Sequence, residues 1–217
     1  MSTMSDWVDQ IEQALLAVDA AVVRLLVERA GAAMTPIEFV DAVIVPALER
    51  IGLRWERGEA ALSQVYMSGR IIESLLNGLF PAGRRPRKQS ITLAVAVLED
   101  YHFLGKNLVL SILRAAGFDL MDLGRVEIDA LVERVRSDHI GVLLISVLML
   151  PAALRVRELR ERLADEGVDV KIVVGGAPFR FDPELWREVG ADACGQSAGE
   201  ALQIVRSLLM PPATGEA

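Results

Sequence analysis

Residues able to bind a ligand follow three apolar segments in the second half of the chain. Asp100 and His102 come directly after "ITLAVAVL", Ser146 lies within "IGVLLISVLML", and Gly175-Gly176 ends "DVKIVVGG". If the three segments are neighbouring parallel strands, their carboxyl ends meet at one edge of a sheet, where such sheets bind ligands. The pattern therefore predicts one ligand-binding crevice that these residues share.

Each of these residues also has a simpler interpretation. A single histidine in a strand-to-helix loop is usually a surface or hydrogen-bonding residue, and Asp100 could cap a helix that starts near His102. Ser146 could be a hydrogen-bonded hydroxyl of the core, and the glycine pair could be an ordinary turn. Only the combination favours a binding site.

Composition excludes several classes of protein. The hydrophobic fraction of 52% and the mean hydropathy of +0.35 predict a large buried core. A net charge of −7 argues against a nucleic-acid partner. The single cysteine, Cys194, excludes an internal disulfide and a cysteine-based zinc site. The apolar runs are too short to cross a membrane and no targeting signal is visible, so we expect a cytoplasmic protein.

The first eighty residues have helical periodicity. Apolar residues at spacings of three and four from 7 to 25 predict one long amphipathic helix that stops at Gly31. Thr35 and Pro36 predict the N-cap and first position of a second helix, which Pro46 should kink or divide. A further helix covers "AALSQVYMSGRIIESLLNGLF", and short loops predict an antiparallel, four-helix-type bundle.

The chain changes character after this bundle. The segment 81–90, "PAGRRPRKQS", has the composition of a linker between a helical cap domain, residues 1–80, and a second domain, residues 91–212. In the second domain, short apolar runs alternate with amphipathic helices. This alternation predicts an α/β fold, specifically a flavodoxin-like doubly wound domain with a five-stranded parallel sheet.

Three short motifs of the second domain resemble a known family. "DYHFLG" has the form Asp-x-His-x-x-Gly, "SVL" has the form Ser-x-Leu, and a Gly-Gly pair follows. The motif residues are Asp100, His102, Gly105, Ser146, Leu148, Gly175 and Gly176. The set resembles the cobalamin-binding domain of methionine synthase, methylmalonyl-CoA mutase and the corrinoid proteins of methyltransferase systems. The resemblance continues through "WERGEAALSQVYMSGRI" and covers nearly the whole chain.

The resemblance implies a role for each motif residue. His102 would be the lower axial ligand of cobalt in cobalamin, replacing the base of the cofactor itself (the base-off mode). Asp100 would orient the imidazole and raise its basicity. The nucleotide tail of the cofactor would lie beside Ser146, and the motif glycines would leave room for it.

The resemblance also implies a methyl carrier with no catalytic residues of its own. It would receive a methyl group from a substrate-specific methyltransferase and pass it to a second methyltransferase. A homodimer is compatible with this interpretation, whereas nucleic-acid and membrane partners are not expected. The helical region would cover the upper face of the cofactor, with Val65, Tyr66 and Met67 either contacting it or forming bundle core.

Two alternatives remain at this stage. One is a cobalamin-responsive regulator or light sensor without its own DNA-binding module, although light-sensing relatives carry Glu-His where this chain has Gln64-Val65. The other is a flavodoxin-like module that binds no cobalamin. Methyl-carrier relatives usually have glycine before the aspartate and an acidic residue after the histidine. Glu99 and Phe103 stand there, which leaves the redox tuning and the substrate system open.

Overall fold

The computed structural model describes residues 3–79 and 91–209. The chain divides into two compact units, Met1–Pro81 and Ala82–Ala217. The predicted linker, 81–90, lies outside the described residues, as does the end of the predicted second domain. Within the described ranges, no helix is both long and apolar enough to cross a membrane.

The first unit consists of helices around one apolar core. Trp7 packs edge-on against Phe39, with ring centroids 6.4 Å apart, and Ile11, Leu15 and Ile72 are fully buried. The helices are α1 (Met4–Leu16), α2 (Ala20–Ala30), α3 (Pro36–Phe39), a π-helical turn (Val40–Ile44), α4 (Val45–Glu56) and α5 (Leu62–Leu79). Since α3, the π turn and α4 follow one another without a loop, residues 3–79 form four helical segments.

The prediction of one long first helix is wrong. The chain turns at Val18, whose φ is +55°, and Asp19 starts α2 by accepting the N–H groups of the next helical turn. This break rotates the second half of the apolar stripe away from the core. Val22 and Leu25 are therefore 42% and 55% exposed, although periodicity placed them inside.

The start and division of the next helix are confirmed. The Thr35 hydroxyl accepts the N–H of Glu38, whose carboxylate accepts the N–H of Thr35, which is a capping box. Pro46 lies in the first turn of α4, directly after the π turn. Proline has no N–H to donate to the preceding turn, so a change of helical geometry there is expected.

The candidate lid residues differ in exposure. Tyr66 and Met67 on α5 are 65% and 37% exposed, whereas Val65 is half-buried. The alternative that Tyr66 and Met67 belong to the bundle core is therefore wrong. Their contact with the cofactor stays a prediction.

The second unit is α/β with an all-parallel sheet in the order β2-β1-β3-β4-β5, which confirms the predicted fold class. The sheet core is built from Ala, Val, Leu and Ile. The strands are β1 (Thr92–Leu98), β2 (Leu120–Val126), β3 (Ile140–Ser146), β4 (Lys171–Gly175) and β5 (Ala193–Gly195). The helices are α6 (Leu104–Ala115), α7 (Ile128–Ser137), α8 (Leu150–Asp165), α9 (Ala177–Phe181), α10 (Leu185–Glu188) and α11 (Ala198–Leu209).

The sheet topology aligns the three predicted strand ends. The chain passes from β1 to β2 on one side and then crosses to β3 on the other, so strand order reverses between β1 and β3. Ser146 is in register with Val97 of β1 and with Gly175 of β4. The carboxyl ends of β1, β3 and β4 are therefore neighbours at the switch point where doubly wound sheets bind ligands.

Two details of this unit differ from the predicted elements. The third apolar run leaves the sheet after Ser146, and Leu150 already begins α8. The short helix α9 was not predicted, because the segment "APFRF" is too short for a helical period to show.

Candidate functional site

A buried carboxylate joins the ends of β1 and β3. Asp100 is 4% exposed. Its Oδ2 accepts the N–H groups of Leu148 at 2.7 Å and Met149 at 3.0 Å. Its Oδ1 accepts the N–H groups of Tyr101 at 2.6 Å and His102 at 3.2 Å. Asp100 therefore fixes the loop that follows β3 against the loop that follows β1.

The capping alternative for Asp100 is wrong. Helix α6 begins at Leu104, its N-cap residue is Phe103, and no side chain caps it. The Asp100 carboxylate accepts N–H groups of the loop that follows β3 instead. Asp100 therefore connects two segments distant in sequence and is not a local helix cap.

Hydrogen bonding keeps Asp100 ionised. Burial alone would raise the pKa of this carboxyl group, but the hydrogen bonds from His102 and from the backbone of Leu148, Met149 and Tyr101 outweigh it, and the pKa is lowered from its ordinary value. Near neutral pH the group is therefore a carboxylate, which can only accept hydrogen bonds.

His102 is oriented by this carboxylate. Its ring Nδ1 lies 2.5 Å from Oδ1 of Asp100. Because the carboxylate can only accept, the proton is assigned to Nδ1, and the neutral ring has its lone pair on Nε2. The side chain of His102 is 51% exposed. One imidazole nitrogen is thus held in a fixed direction and available to an external ligand.

Large apolar side chains are exposed on the same two loops and at the start of α8. Leu148, Met149 and Leu150 are 44%, 53% and 53% exposed, and Tyr101 is 72% exposed. The guanidinium of Arg125, at the end of β2, lies 4.6 Å from the centre of the Tyr101 ring. Exposed apolar residues grouped at a strand end indicate a binding surface for an apolar or flat ligand.

The motif glycines make close contacts within the chain. A Cβ atom at Gly105 would lie 2.9 Å from Oγ of Ser146, and one at Gly175 would lie 3.0 Å from the carbonyl oxygen of Gly195. Gly176 has a φ of +126°, and a Cβ there would lie 1.7 Å from the carbonyl oxygen of Val147. Backbone packing therefore accounts for Gly175 and Gly176 without a cofactor, and the contact of the motif glycines with a nucleotide tail stays a prediction.

All seven motif residues lie at this one edge. Asp100 contacts His102 and the backbone of Leu148 directly. Gly105 faces Ser146, which is in register with Gly175. Gly176 packs against the segment that joins Ser146 to Leu148. The structure thus brings together every residue that the motifs selected.

Two charged pairs beside the motif residues were not predicted. Lys106, the residue after Gly105, is 3% exposed and donates to both oxygens of Asp122 at 2.7 and 2.6 Å. Glu99 forms a two-bond ion pair with Arg155 on α8. A lysine in the apolar helix sequence "KNLVLSIL" was the available signal for the first pair, because a buried lysine needs a carboxylate partner.

The residues present fit a cobalt corrinoid. Within residues 3–79 and 91–209, no group of three or more His, Cys, Asp or Glu side chains is arranged to hold a metal ion. A corrin ring supplies four equatorial nitrogens, so a protein needs to offer only an axial ligand, for which a neutral imidazole is suitable. His102 offers one such nitrogen beside exposed apolar side chains that suit a flat ring.

Comparison with protein families agrees with this geometry. A family model described as a B12 binding domain matches residues 91–206. A second model of the same description matches residues 7–79. The matched ranges cover the described α/β unit and the described helical unit in turn.

Similar proteins cover almost the full chain. "Dimethylamine corrinoid protein 2" of Methanosarcina mazei is 30% identical, over 97% of this chain and 100% of its own. "Trimethylamine corrinoid protein" of Methanosarcina barkeri is 32% identical, over 84% of this chain and 86% of its own. The structure of the monomethylamine corrinoid protein of Methanosarcina barkeri matches 95% of this chain and 100% of its own, with a TM-score of 0.79 and 27% identity. The chain therefore belongs to the family of corrinoid proteins with a B12 binding domain, and cobalamin is its cofactor.

Proposed function

We propose that this protein is a methyl carrier that binds cobalamin base-off, with Nε2 of His102 as the lower axial ligand. The observation that carries the proposal is the hydrogen bond from Nδ1 of His102 to the buried Asp100, which leaves Nε2 free on a half-exposed ring. The relatives named for dimethylamine and trimethylamine support a methylamine methyltransferase system as its context.

The protein supplies binding and orientation in this proposal. Bound cobalamin supplies a cobalt centre that can take up and release a methyl group. Asp100 holds the imidazole of His102 in one orientation, with Nδ1 bonded to its carboxylate and Nε2 directed outward.

The apolar residues around His102 complete the proposed site. The corrin ring would lie against the exposed side chains of Leu148, Met149 and Leu150, which would displace water from its lower face. The hydroxyl of Ser146, which is half-buried at the end of β3, would face the nucleotide tail. Gly175 and Gly176 pack closely against the backbone of Gly195 and Val147 at this edge of the sheet.

The proposed partners are two methyltransferases. One would be specific for the methyl donor and would methylate the cofactor, and the other would take the methyl group onward. The proposed site is made of loops at a sheet edge, where partner proteins can approach. Substrate specificity would then belong to the partners and not to this chain.

The ligand assignment is tested with hydroxocobalamin. The wild-type protein is loaded and desalted, and its visible spectrum is compared with those of His102→Ala and His139→Asn. His139 is the other histidine of the chain and has a φ of +50°, which asparagine tolerates. We expect a histidine-ligated spectrum for the wild type and for His139→Asn, and an altered one for His102→Ala. Identical spectra for all three would refute histidine ligation.

The carrier function is tested separately. The loaded protein is reduced with Ti(III) and offered methyl iodide, and the extracted cofactor is analysed by mass. We expect methylcobalamin from the wild type. A loaded protein that stays unmethylated, but changes its oligomeric state on illumination, would favour the regulatory alternative.

A further inference from the structure

Glu99 has a backbone conformation that residues other than glycine rarely adopt. Its φ is +47°, in the left-handed region. It lies between the last residue of β1 and Asp100, and its N–H donates to the carbonyl oxygen of Val126 at 3.0 Å. The turn at Glu99 directs the chain so that the next residue, Asp100, points into the sheet edge. The position of Asp100 therefore depends directly on the torsion angle of Glu99.

The side chain of Glu99 forms a two-bond ion pair. Oε2 accepts from Nε of Arg155 at 2.9 Å, and Oε1 accepts from Nη2 of Arg155 at 3.1 Å. This parallel geometry is more specific than a single contact, because both groups are planar. The hydrogen bonds from Arg155 lower the pKa of Glu99, which keeps it charged. Arg155 also pairs with Glu158 on its own helix.

The ion pair repeats a connection that Asp100 makes. Asp100 joins the end of β1 to Leu148 and Met149, just before α8. Glu99 joins the same end of β1 to Arg155, in the second turn of α8. Two consecutive residues thus hold one strand end to one loop and helix. If the outer connection is removed, the inner one has to hold the loop alone.

We infer that the Glu99–Arg155 ion pair is a positioning device for the cofactor ligand, acting through Asp100 on the orientation of His102. The inference rests on the proposed function, since it assumes that His102 binds cobalt. An ordinary exposed ion pair contributes little and leaves distant groups unchanged. This pair differs because it fixes a left-handed residue next to the carboxylate that orients the ring.

The test uses a matched pair of variants on α8. Arg155→Met removes the guanidinium and keeps an unbranched apolar side chain. Arg162→Met is the control, because Arg162 lies on the same helix, its side chain is equally exposed at 43%, and it also bridges to another element through Asp129 at 2.8 Å. The dissociation constant for hydroxocobalamin and the visible spectrum of the loaded protein are measured at one fixed pH.

We expect Arg155→Met to weaken hydroxocobalamin binding by about three- to tenfold, less than the roughly 10- to 100-fold of a residue that contacts a metal ligand directly, because Arg155 acts through Asp100. Its spectrum should shift part of the way towards that of His102→Ala, while Arg162→Met matches the wild type. Arg155→Lys keeps the positive charge without the two-bond geometry, so its affinity and spectrum should lie between those of the wild type and Arg155→Met. Circular dichroism confirms folding, and if Arg155→Met fails to fold, Arg155→Lys is compared with Arg162→Lys instead.

A double-mutant cycle tests whether the two residues act as a pair. In a Glu99→Gly background, Arg155→Met should cause no further loss of binding or spectral change. Additive losses would overturn the inference, as would an Arg155→Met protein that behaves like Arg162→Met or loses affinity without any spectral change.

The two hypotheses fail in different ways. If wild type and His102→Ala give the same spectrum, the proposed ligand is wrong. If those two differ but Arg155→Met matches its control, only the positioning role of the ion pair is wrong.

Discussion

Opposite edges of the parallel sheet each contain a carboxylate that ties neighbouring segments together. At the carboxyl edge, Asp100 accepts the backbone N–H groups of Leu148 and Met149. At the amino edge, Asp192 precedes β5 and accepts the N–H of Ile172 on β4 at 2.8 Å. Both groups have a pKa below the ordinary value, because hydrogen bonds outweigh the effect of burial. Judged only by the backbone N–H groups that they accept, Asp100 and Asp192 would have the same role.

The side-chain partners separate the two edges. Asp192 forms ion pairs with Arg160 and Lys171. Asp100 bonds the ring of a half-exposed histidine. A carboxylate between fixed cations connects elements of the fold. A carboxylate bonded to an exposed imidazole orients the ring and leaves its other nitrogen free, so that nitrogen is available to bind a metal.

The largest predicted effect concerns one glycine at each edge. Gly176 at the carboxyl edge and Gly190 at the amino edge both have positive φ, +126° and +75°. An alanine Cβ would lie 1.7 Å from the carbonyl oxygen of Val147 at the first, but 3.1 Å from Cγ of Arg160 at the second. We expect Gly176→Ala to cost about 4 kcal/mol or more of the free energy of unfolding.

Gly190→Ala should cost only about 1–2 kcal/mol, the price of a left-handed residue. Urea unfolding followed by circular dichroism measures both. Equal losses of unfolding free energy in the two variants would contradict this expectation. They would show that the backbone around Gly176 relaxes to accept a Cβ as easily as the surroundings of Gly190 do.

The sequence predicted the sheet and the motif residues, because both depend on local patterns. Apolar runs give the strands, and the Asp-x-His-x-x-Gly spacing places Asp100 and His102 in one strand-to-helix loop. The switch point then follows from topology. Every motif residue was found at the predicted edge.

What the sequence did not predict depends on contacts between distant segments. The approach of Gly176 to Val147 and the pairing of Glu99 with Arg155, 56 residues apart, have no local signal. The break at Val18 interrupts an unbroken apolar period, so periodicity could not detect it.

The second prediction exchanges the two carboxylates for amides. We expect Asp100→Asn to weaken hydroxocobalamin binding by about 10- to 100-fold, because the ring of His102 loses a charged partner. Asp192→Asn should leave binding unchanged and lower the free energy of unfolding by about 1–3 kcal/mol. Absorbance titration and urea unfolding of both variants make the comparison. Should Asp192→Asn weaken binding as much as Asp100→Asn, the two edges would not be functionally distinct.

The third prediction concerns acid stability at the amino edge. Burial would raise the pKa of Asp192, but the N–H of Ile172 and the charges of Lys171 and Arg160 lower it below its ordinary value of 3.8. The unfolded chain then binds protons more readily than the folded one. The stabilisation is therefore fully present above that value and is lost as pH falls through the lower pKa of the folded state.

Wild-type protein without cofactor should lose unfolding free energy as the pH falls below about 4, the ordinary range of an aspartate. The Asp192→Asn protein should lose less unfolding free energy over the same pH interval, because asparagine has no carboxylate that can be protonated. Urea unfolding at a series of pH values measures the difference. Parallel pH profiles for the two proteins would mean that Asp192 does not contribute to acid sensitivity.

The smallest effect is expected at Gly105. Variants of this residue distinguish a glycine needed for packing from one needed for contact with the cofactor. A Cβ there would lie 2.9 Å from Oγ of Ser146, an atom that rotation of one bond can move. Gly105 lies in the first turn of α6, where alanine is the better helix former by about 0.5–1 kcal/mol. Gly105→Ala should therefore change the free energy of unfolding by no more than about 1 kcal/mol.

In a Ser146→Ala background the contact disappears, and Gly105→Ala should become neutral or stabilising. Hydroxocobalamin binding by the double variant then decides why glycine is there. Normal affinity would assign the glycine to packing against Ser146. Affinity weaker than that of Ser146→Ala alone, in a stable protein, would show that the cofactor approaches Gly105 itself. Gly141→Ala is the control at the amino edge, because its Cβ would meet only the side chain of Ile91, at 2.6 Å, and binding should not change.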